Sequence, residues 1–522
     1  MTDVAVEKRS VLQKVLDGIE RAGNKVPHPV IIFLVLIALI MILSAVFQAI
    51  GSSVTFDRAT LGSDELESVT VTARSLLDAD GLRFVFTSPV ANFNNFGVVG
   101  VIVVAMIGVG MAEEVGLIAA FIKRLVKITP PRAITFIIVL LGVLSSIATD
   151  AGYLVLIPLA AAVFYSLGRH PLAGLAAAFA GVGGGFGVNL LITPVDGMLA
   201  EITNEAITDP ANHVSITGNL YFGIVSTLLV TVVVTLLTEK FVEPRLGPYH
   251  PSEAPEDAAA SEPPSGDLSP EERNGLRWAF WGFVGVTVVV LALSLPPNAV
   301  LRNPETGSLI EDSPLLNSII FLILVYFFVM GLCYGKGAGT IKGSMDVINP
   351  MTKTIAGLSG LIFLLLVISQ FIAYFNYSNL GTLAAVNMAD ALESANLSTV
   401  WLILGLIAMT AVIDIFIGGV VPKWAIFAPV FVPLFVQLGI SPNLAVAAYR
   451  VGDSPINVAT PLMPYFALIV IFAERYRRKV GVGSIISLML PYTVVLLVAW
   501  SALLVVWYLL GIPLGPGAPI YL

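Results

Sequence analysis

Charged side chains stand inside long apolar stretches of this sequence. In chain order they are Glu113, Glu114, Asp150, Asp196, Asp414, Lys423, Arg450 and Asp453. A charge near the centre of a bilayer costs roughly 2.5–3.5 kcal/mol on insertion scales, so it usually faces a cavity or a partner. If the apolar stretches cross a membrane, these residues predict an aqueous site inside the protein, where ions or a charged ligand would bind.

The segment around Arg450 has several charged and polar side chains within a few residues. Residues 449–457 read YRVGDSPIN, and the glycine and the proline in this run interrupt a helix. The planar guanidinium of Arg450 suits a carboxylate bidentately. We interpret Arg450 and Asp453 as substrate-binding residues and Asn457 as a residue for a coupling ion. The alternative is an Arg450–Asp453 pair that satisfies itself, since the two lie three residues apart.

A second break lies earlier in the chain. Residues 181–187 read GVGGGFG and are followed by Asn189, Pro194 and Asp196. Glycines allow the backbone to approach a ligand closely, and we place Asn189 among the substrate-binding residues. Asp196 is interpreted as an ion-coupling carboxylate that binds a proton or a cation. The alternative is that Asp196 caps the helix that follows the break.

Three further candidates lie near two other interruptions of apolar sequence. Trp424 could stack on an aromatic ligand while the neighbouring Lys423 attracts an anion; the alternative is simple packing of the indole. Asp150 ends the polar run 145–150 and is a candidate ion or proton site. Asp414 is a second carboxylate that could carry a coupling ion.

The composition identifies the class of protein that holds these residues. Of 522 residues, 57% are hydrophobic and only 12% are charged, whereas soluble domains have about 25% charged residues. This is an integral membrane protein. A net charge of −8 without a basic stripe argues against nucleic-acid binding. A single cysteine, Cys333, allows no internal disulfide, and the four histidines form no HExxH zinc motif.

Apolar segments of about 20 residues predict nine membrane spans. They are 28–51, 96–122, 170–200, 216–238, 277–297, 316–335, 353–375, 443–472 and 483–511. Two further apolar stretches, 133–166 and 399–441, are too long for one span and carry a polar or Gly/Pro-rich centre. We expect both to be re-entrant hairpins, so the predicted fold is an all-α polytopic membrane protein with broken helices.

Positive charge in short loops predicts the orientation. The basic residues follow the second, sixth and eighth spans: Lys123, Arg124, Lys127, Arg132, Lys336, Lys342, Arg475, Arg477, Arg478 and Lys479. This places the N-terminal segment 1–27 in the cytoplasm and the C-terminus in the periplasm. The first half, 28–238, and the second half, 277–522, are then joined by a cytoplasmic linker, 239–276, rich in Pro, Ala and Glu.

The two hairpin regions match each other at a constant offset of 271 residues, without a gap. The matched positions are Tyr153 with Trp424, Pro158 with Pro429, Leu167-Gly168 with Leu438-Gly439, Pro171 with Pro442, and Ala176-Ala177 with Ala447-Ala448. Because the two units enter the membrane from opposite faces in the predicted topology, they form an inverted repeat. Inverted repeats with broken helices are typical of secondary transporters, which bind substrate near the bilayer midplane.

Several long segments resemble the aminobenzoyl-glutamate transporter (AbgT) family. They are NFNNFGVVGVIVVAMIGVGMAEEVGLI (92–118), LGRHPLAGLAAAFAGV (167–182), TEKFVEPRLGPY (238–249), AAYRVGDSPIN (447–457) and PLGPGAP (513–519). The resemblance implies a homodimer in the bacterial inner membrane, with nine spans and two opposed hairpins in each protomer. It implies ion-driven transport of p-aminobenzoyl-glutamate or, in some members, export of sulfonamides and p-aminobenzoate-like compounds.

The resemblance also implies site residues. The family's positions match Asp196, Trp424, Pro442, Arg450, Asp453 and Pro461 here, and the two prolines would shape the broken helix. The family pattern has small hydroxyl residues where this chain has Gly419-Val420-Val421-Pro422, and an Asn where it has Asp414. Fewer oxygen side chains mean fewer ligands for Na⁺, whereas Asp414 and Asp150 could carry a proton. Both ions therefore stay open.

The sequence thus predicts a secondary transporter of small aromatic carboxylates, without an organic cofactor. An exporter of sulfonamide-like antimetabolites is the alternative. An intramembrane aspartyl hydrolase is disfavoured because the guanidinium of Arg450 would keep a neighbouring carboxylate ionised, and no GxSxG, Walker A or HExxH motif occurs. A passive channel would show no accumulation against a gradient.

Overall fold

The computed structural model describes residues 27–59, 66–147, 152–250, 253, 255, 268–309, 313–394, 398–461, 463–478 and 480–522. The described chain is almost entirely helical. Its one sheet is an antiparallel pair, β1 (Ser53–Ala59) and β2 (Leu66–Thr72), in which Thr55 lies opposite Thr70. These strands were not predicted from the sequence.

The helices are numbered here in chain order. They are α1 (Pro29–Ala49), α2 (Ala79–Thr87), α3 (Pro89–Asn94), α4 (Val98–Glu114), α5 (Leu117–Ile128), α6 (Ile134–Leu144), α7 (Ile157–Ser166), α8 (Pro171–Val182), α9 (Pro194–Glu205), α10 (Leu220–Leu237), α11 (Glu243–Leu246), α12 (Pro270–Ser294), α13 (Pro314–Asn317), α14 (Ile319–Ala338), α15 (Met345–Gly357), α16 (Ser359–Tyr377), α17 (Leu380–Ser394), α18 (Thr399–Asp414), α19 (Val420–Gln437), α20 (Pro442–Asp453), α21 (Phe466–Glu474) and α22 (Val482–Leu509).

Six of the nine predicted spans correspond to single long apolar helices or to a continuous helical run. These are α1, α10 with its continuation to Leu246, α12, α14, α16 and α22. The predicted span 96–122 is instead a pair, α4 and α5, bent by 62°. Gly116, with φ 92°, lies between the two helices, and a left-handed residue of this kind suits glycine. Among the described residues, seven helices are long and apolar enough to cross a membrane, or eight with the bent pair.

The predicted spans 170–200 and 443–472 are each divided into two short helices. The first becomes α8 and α9, separated by residues 183–193, and the second becomes α20 and α21, separated by residues 454–465. These are the two breaks that the Gly- and Pro-rich runs predict. The total number of membrane crossings stays a prediction.

Both predicted hairpins have a helix, an interruption and a second helix. In the first, α6 is followed by a 3₁₀ turn (Ser145–Ile147) and a π-helical turn (Gly152–Leu156) leads into α7. Asp150 lies outside the described residues. In the second, α18 and α19 are separated by residues 415–419, and Gly419 has φ 87°. The α19 helix has 18 residues and is apolar enough to cross a membrane by itself. The direction from which each hairpin enters the membrane stays a prediction.

The 271-residue repeat is visible in the backbone. The α7 helix ends at Ser166 and α19 ends at Gln437, and the glycines that follow, Gly168 and Gly439, have φ of 70° and 69°. In both turns a backbone N–H reaches back to a phenylalanine carbonyl, over 2.8 Å and 2.9 Å. The next helices, α8 and α20, have 12 residues each. The repeat is therefore structural as well as sequential.

The half-helices α8 and α20 lie at the centre of the protein. All residues from Pro171 to Val182 and from Pro442 to Asp453 are buried, whereas the long helix α12 exposes most of its apolar surface. A helix that is buried on every side belongs to the interior of a large protein. The first residues of the two breaks, 183–189 and 454–460, are therefore mostly held in the core.

Candidate functional site

The two breaks meet each other directly. The backbone N–H of Gly187, from the first break, donates to Ser454 Oγ at the end of α20 over 2.9 Å. The carbonyl of Gly187 accepts from Arg450 Nη1 over 2.8 Å. A Cβ at position 187 would collide with Ser454 Oγ and touch the Arg450 side chain, so the close contact between the breaks requires glycine. Backbone groups released by one break are thus satisfied by the other, as a broken membrane helix requires.

An ion pair joins the same two segments. Arg450 Nη1 lies 2.7 Å from Asp196 Oδ1, and the side chains are 5% and 16% exposed. Arg450 is in the last turn of α20 and Asp196 in the first turn of α9, the helix ends where the macrodipole favours a cation and an anion respectively. The predicted alternative, an Arg450–Asp453 pair, is not what the structure contains, because Arg450 reaches across to the first half instead.

Asp196 also caps its own helix. Its Oδ2 accepts from the Thr193 backbone N–H over 2.6 Å and from the Thr193 hydroxyl over 2.8 Å. One carboxylate oxygen of Asp196 therefore serves the cap and the other faces Arg450, while its role in ion coupling stays a prediction. Capping fixes the orientation of the carboxylate, so its free edge is directed at the guanidinium.

A small cleft opens beside this ion pair. It is lined by Val188, Asn189, Leu191, Ile192, Asp196, Ile216, Asn219, Leu220, Phe222, Gly223 and Arg450. Its volume of about 10 Å³ is close to the smallest that holds one water molecule. Within the described part of the chain, two buried polar atoms in this lining have no hydrogen-bond partner, Asn219 Oδ1 and Arg450 Nε. The cleft thus offers an acceptor and a cationic donor to a ligand.

Asn189 connects the first break to the first hairpin. Its side-chain amide donates to Ser146 Oγ over 3.0 Å and to the carbonyl of Leu144 over 3.1 Å, and its Oδ1 accepts from the N–H of Leu191. The residue also lines the cleft. Its hydrogen bonds therefore place the end of α6 next to the ion pair.

A second group of charges lies where α18, α19 and α20 meet. Lys423 Nζ contacts Asp414 and lies 2.6 Å from Asp453 Oδ1. Tyr449 Oη is 3.1 Å from the same Asp453 oxygen and donates to the carbonyl of Val420 over 2.5 Å. Lys423 and Asp414 are fully buried. The predicted substrate residue Lys423 thus lies outside the cleft lining in this conformation.

The two groups together carry unequal charge. In the part of the chain that the structure describes, three carboxylates face two cations, Lys423 and Arg450. The carboxylates are those of Asp196, Asp414 and Asp453. With every group ionised, the ion-paired residues hold one negative charge in excess. Among the described residues, no group of three His, Cys, Asp or Glu side chains could hold a metal ion.

Trp424 is packed against protein groups on all sides. It is fully buried, its indole N–H donates to Thr203 Oγ1 over 3.0 Å, and its ring lies 4.9 Å from that of Tyr449 at an angle of 36°. Stacking on a ligand would require the hairpin to move. Its role in substrate binding stays a prediction.

The remaining predicted residues have local positions. Pro442 is the first residue of α20, where its ring suits the helix start. Pro461 and Asn457 lie in the second break, both partly exposed. Three neutral polar groups of the site were not predicted from the sequence: Asn219, Thr203 and the hydroxyl of Tyr449. Charges stand out within an apolar sequence, whereas neutral polar groups are identified as part of a site only from their burial and contacts.

The whole chain has known relatives. The sequence profile of the AbgT transporter family matches residues 14–522. The p-aminobenzoyl-glutamate transport protein of Escherichia coli (strain K12) is 34% identical over 521 residues, which cover 99% of each chain. The solved structure of the Alcanivorax borkumensis YdaH transporter is 42% identical, covers 94% of this chain with its full length, and superposes with a TM-score of 0.85. That of Neisseria gonorrhoeae MtrF, presented as one of a class of antimetabolite efflux pumps, is 40% identical, covers 97% with its full length, and has a TM-score of 0.89.

Proposed function

The chain belongs to the AbgT family of membrane transporters, and from this premise we propose that it transports p-aminobenzoyl-glutamate or a related aromatic carboxylate, driven by an ion gradient. The similarity to the Escherichia coli transport protein supports the substrate class. The family match and the apolar helices place the protein in a membrane, and its relatives are transporters rather than enzymes. We further propose the bacterial inner membrane, a cytoplasmic N-terminus, a periplasmic C-terminus and a homodimer.

The observation that carries the proposal is the Arg450–Asp196 ion pair at the junction of the two breaks. The pair bridges the first and second halves of the chain, with 2.7 Å between Nη1 and Oδ1. A substrate carboxylate is the chemical equivalent of the Asp196 side chain, so it can take that place at the guanidinium. Arg450 Nε, buried and without a partner in the described structure, is a second donor for it.

Substrate binding then requires the two halves to separate locally. The cleft volume of about 10 Å³ is far below the roughly 300 Å³ or more of pockets that enclose small organic ligands. Exchange of Asp196 for a substrate carboxylate would remove the ion pair that joins the two breaks while keeping Arg450 paired. Such an exchange couples the binding of substrate to relative movement of the two halves, which alternating access needs.

Asp196 is then left without its cation when substrate binds. An unpaired carboxylate in this partly buried position favours a proton or a cation. We propose that this second exchange links transport to an ion gradient. The excess negative charge of the paired residues Asp196, Asp414 and Asp453 over Lys423 and Arg450 is in keeping with one bound positive ion.

A second function is export of sulfonamides and p-aminobenzoate-like antimetabolites. The 40% identity to MtrF over nearly the whole chain favours it. The same donor set would bind a p-aminobenzoate carboxylate or an ionised sulfonamide, because both are aromatic anions. Direction of transport separates the two functions.

The test is transport in proteoliposomes under separately imposed Na⁺ and proton gradients. Labelled p-aminobenzoyl-glutamate should accumulate under one gradient and not in vesicles that contain Arg450→Ala. Arg169→Ala is a matched control, because Arg169 also has a half-buried carboxylate partner, Glu243 at 2.5 Å, away from the cleft. Loss of a labelled sulfonamide from preloaded vesicles, without uptake of p-aminobenzoyl-glutamate, would assign the second function. The absence of both uptake and efflux would refute the proposed substrate class.

A further inference from the structure

The buried group of Lys423, Asp414 and Asp453 contains an unusually placed ammonium. Lys423 is fully buried, and its two carboxylate partners are 0% and 1% exposed. It lies in the first turn of α19, which begins at Val420 directly after the left-handed Gly419. A cation at a helix N-terminus opposes the macrodipole, and its removal from water is costly.

The two carboxylates account for this placement. Asp414 ends α18 and Asp453 ends α20, so both come from helix C-termini, where a negative charge is also unfavourable. Without a cation between them, two buried carboxylates would repel each other. The three helix ends therefore form a site for one positive charge, and the side chain of Lys423 fills it.

Further contacts show that the site is built rather than incidental. Tyr449 Oη contacts Asp453 and Val420, which ties the start of α19 to α20. The neighbouring helix α9 packs against α19, and its Thr203 hydroxyl accepts a hydrogen bond from the indole N–H of Trp424 in α19. Among the described groups, Asp414 Oδ2 is buried and accepts no hydrogen bond. The ammonium thus leaves one carboxylate oxygen of the site, Asp414 Oδ2, without a hydrogen-bond donor. This is expected if a lysine side chain stands in for a mobile ion.

The position of Lys423 and Asp414 relative to the cleft argues against direct contact between these residues and a substrate. The lining includes Arg450 and Asp196 but neither Lys423 nor Asp414. Arg450 nevertheless follows Tyr449 in α20, and Asp453 lies one helical turn further on. The charge between Asp414 and Asp453 therefore bears on the helix that positions the guanidinium.

We propose that Lys423 is a tethered cation that occupies a monovalent-cation site between Asp414 and Asp453, so that this site needs no Na⁺. The inference rests on the proposed transport function and deepens it by naming the cation that lies between the ends of α18 and α20. Shortening Lys423 empties the site and leaves the two carboxylates, to which Na⁺ or a small alkylammonium ion can then bind. The variant should therefore acquire a dependence on these cations that the wild-type protein lacks.

The test measures thermal unfolding of the purified protein in detergent, in NaCl, methylammonium chloride or choline chloride at equal ionic strength. The wild-type melting temperature should be the same in all three. Lys423→Ala should melt at a lower temperature in choline, and Na⁺ or methylammonium should raise it in a concentration-dependent way. Lys353→Ala is the matched control, since it also removes a lysine from a carboxylate, Glu114 at 2.7 Å, but at an exposed position; it should show no such rise.

Two results would overturn the inference. One is a wild-type protein that Na⁺ stabilises as strongly as the variant, and the other is a Lys423→Ala protein that no small cation stabilises. If Lys423→Ala is not recovered in any of the salts, the Lys423→Ala/Asp414→Asn double variant decides, because it restores the net charge of the group. A Na⁺ response in that variant, absent from the wild type, supports the tethered cation, and equal responses contradict it. These readouts use no substrate, so failure of the proposed transport function would leave them unaffected.

Discussion

Replacing Arg450 by lysine is the most informative single change, because it keeps the charge and alters only the geometry of donation. Arg450 Nη1 bonds both Asp196 Oδ1, at 2.7 Å, and the carbonyl of Gly187, at 2.8 Å. A lysine ammonium is a compact point charge on a differently shaped side chain and lacks the planar fork. It can keep the ion pair with Asp196, but we expect it to lose the bond to Gly187 and the Nε donor.

The magnitude follows from the donors that are lost. A hydrogen bond from a charged group contributes about 1.5–3 kcal/mol, and 1.4 kcal/mol corresponds to a factor of ten in affinity. If the substrate uses the donor at Nε, Arg450→Lys should weaken its binding about ten- to a hundredfold. The ion pair with Asp196 persists, so the loss of stability should stay well below the roughly 3–5 kcal/mol expected when one partner of a buried pair is removed.

The assay is equilibrium binding of labelled p-aminobenzoyl-glutamate to the purified protein, together with its melting temperature. The matched control is Arg169→Lys, because Arg169 makes a bidentate pair with Glu243 away from the cleft. The control should lower the melting temperature and leave the affinity unchanged. An Arg450→Lys protein that binds with wild-type affinity would refute the assignment of the guanidinium as the carboxylate clamp.

Three further changes test other parts of the site. Gly187→Ala should abolish uptake and lower the melting temperature, because its Cβ collides with Ser454, whereas Gly405→Ala, where a Cβ meets nothing within 4 Å, should behave like the wild type in uptake assays. Trp424→Phe keeps an aromatic ring but loses the hydrogen bond to Thr203. We therefore expect the free energy of unfolding to fall by about 1 kcal/mol, with little change in substrate affinity. A large loss of affinity at unchanged stability would contradict this. Asn219→Ala removes a side-chain oxygen that has no partner in the described structure, so it should weaken substrate binding in titrations without lowering the melting temperature, and the reverse pattern would assign Asn219 to the fold.

The helix breaks could be predicted from sequence because their causes are local. Glycine and proline destabilise a helix where they cluster, and the structure ends a helix within or beside each of the runs 181–187 and 452–455. The same local physics gives the repeat, since Gly168 and Gly439 end their helices with nearly the same φ. The strands β1 and β2 were missed because acidic residues in this region masked the alternation of β-branched residues such as Val69 and Val71.

The pairing of the charges could not be predicted, because it depends on the packing of distant segments. The sequence offers Asp453, three residues away, as the alternative partner of Arg450. The structure instead pairs Arg450 with Asp196 and Asp453 with Lys423. Which charge faces which is decided by how the first break lies against the second. Likewise the burial of Lys423 between two helix ends follows only from the arrangement of α18, α19 and α20.

The central claim is that a substrate carboxylate replaces Asp196 at Arg450, and Asp196→Asn tests it most directly. The amide oxygen of Asn can still accept from Thr193, so the helix cap is retained, but the competing negative charge is gone. The account predicts that p-aminobenzoyl-glutamate binds this variant more tightly than the wild type, while ion-driven uptake into proteoliposomes is lost. An affinity that is unchanged or weaker, in a variant that still unfolds in a single cooperative transition, would contradict the exchange.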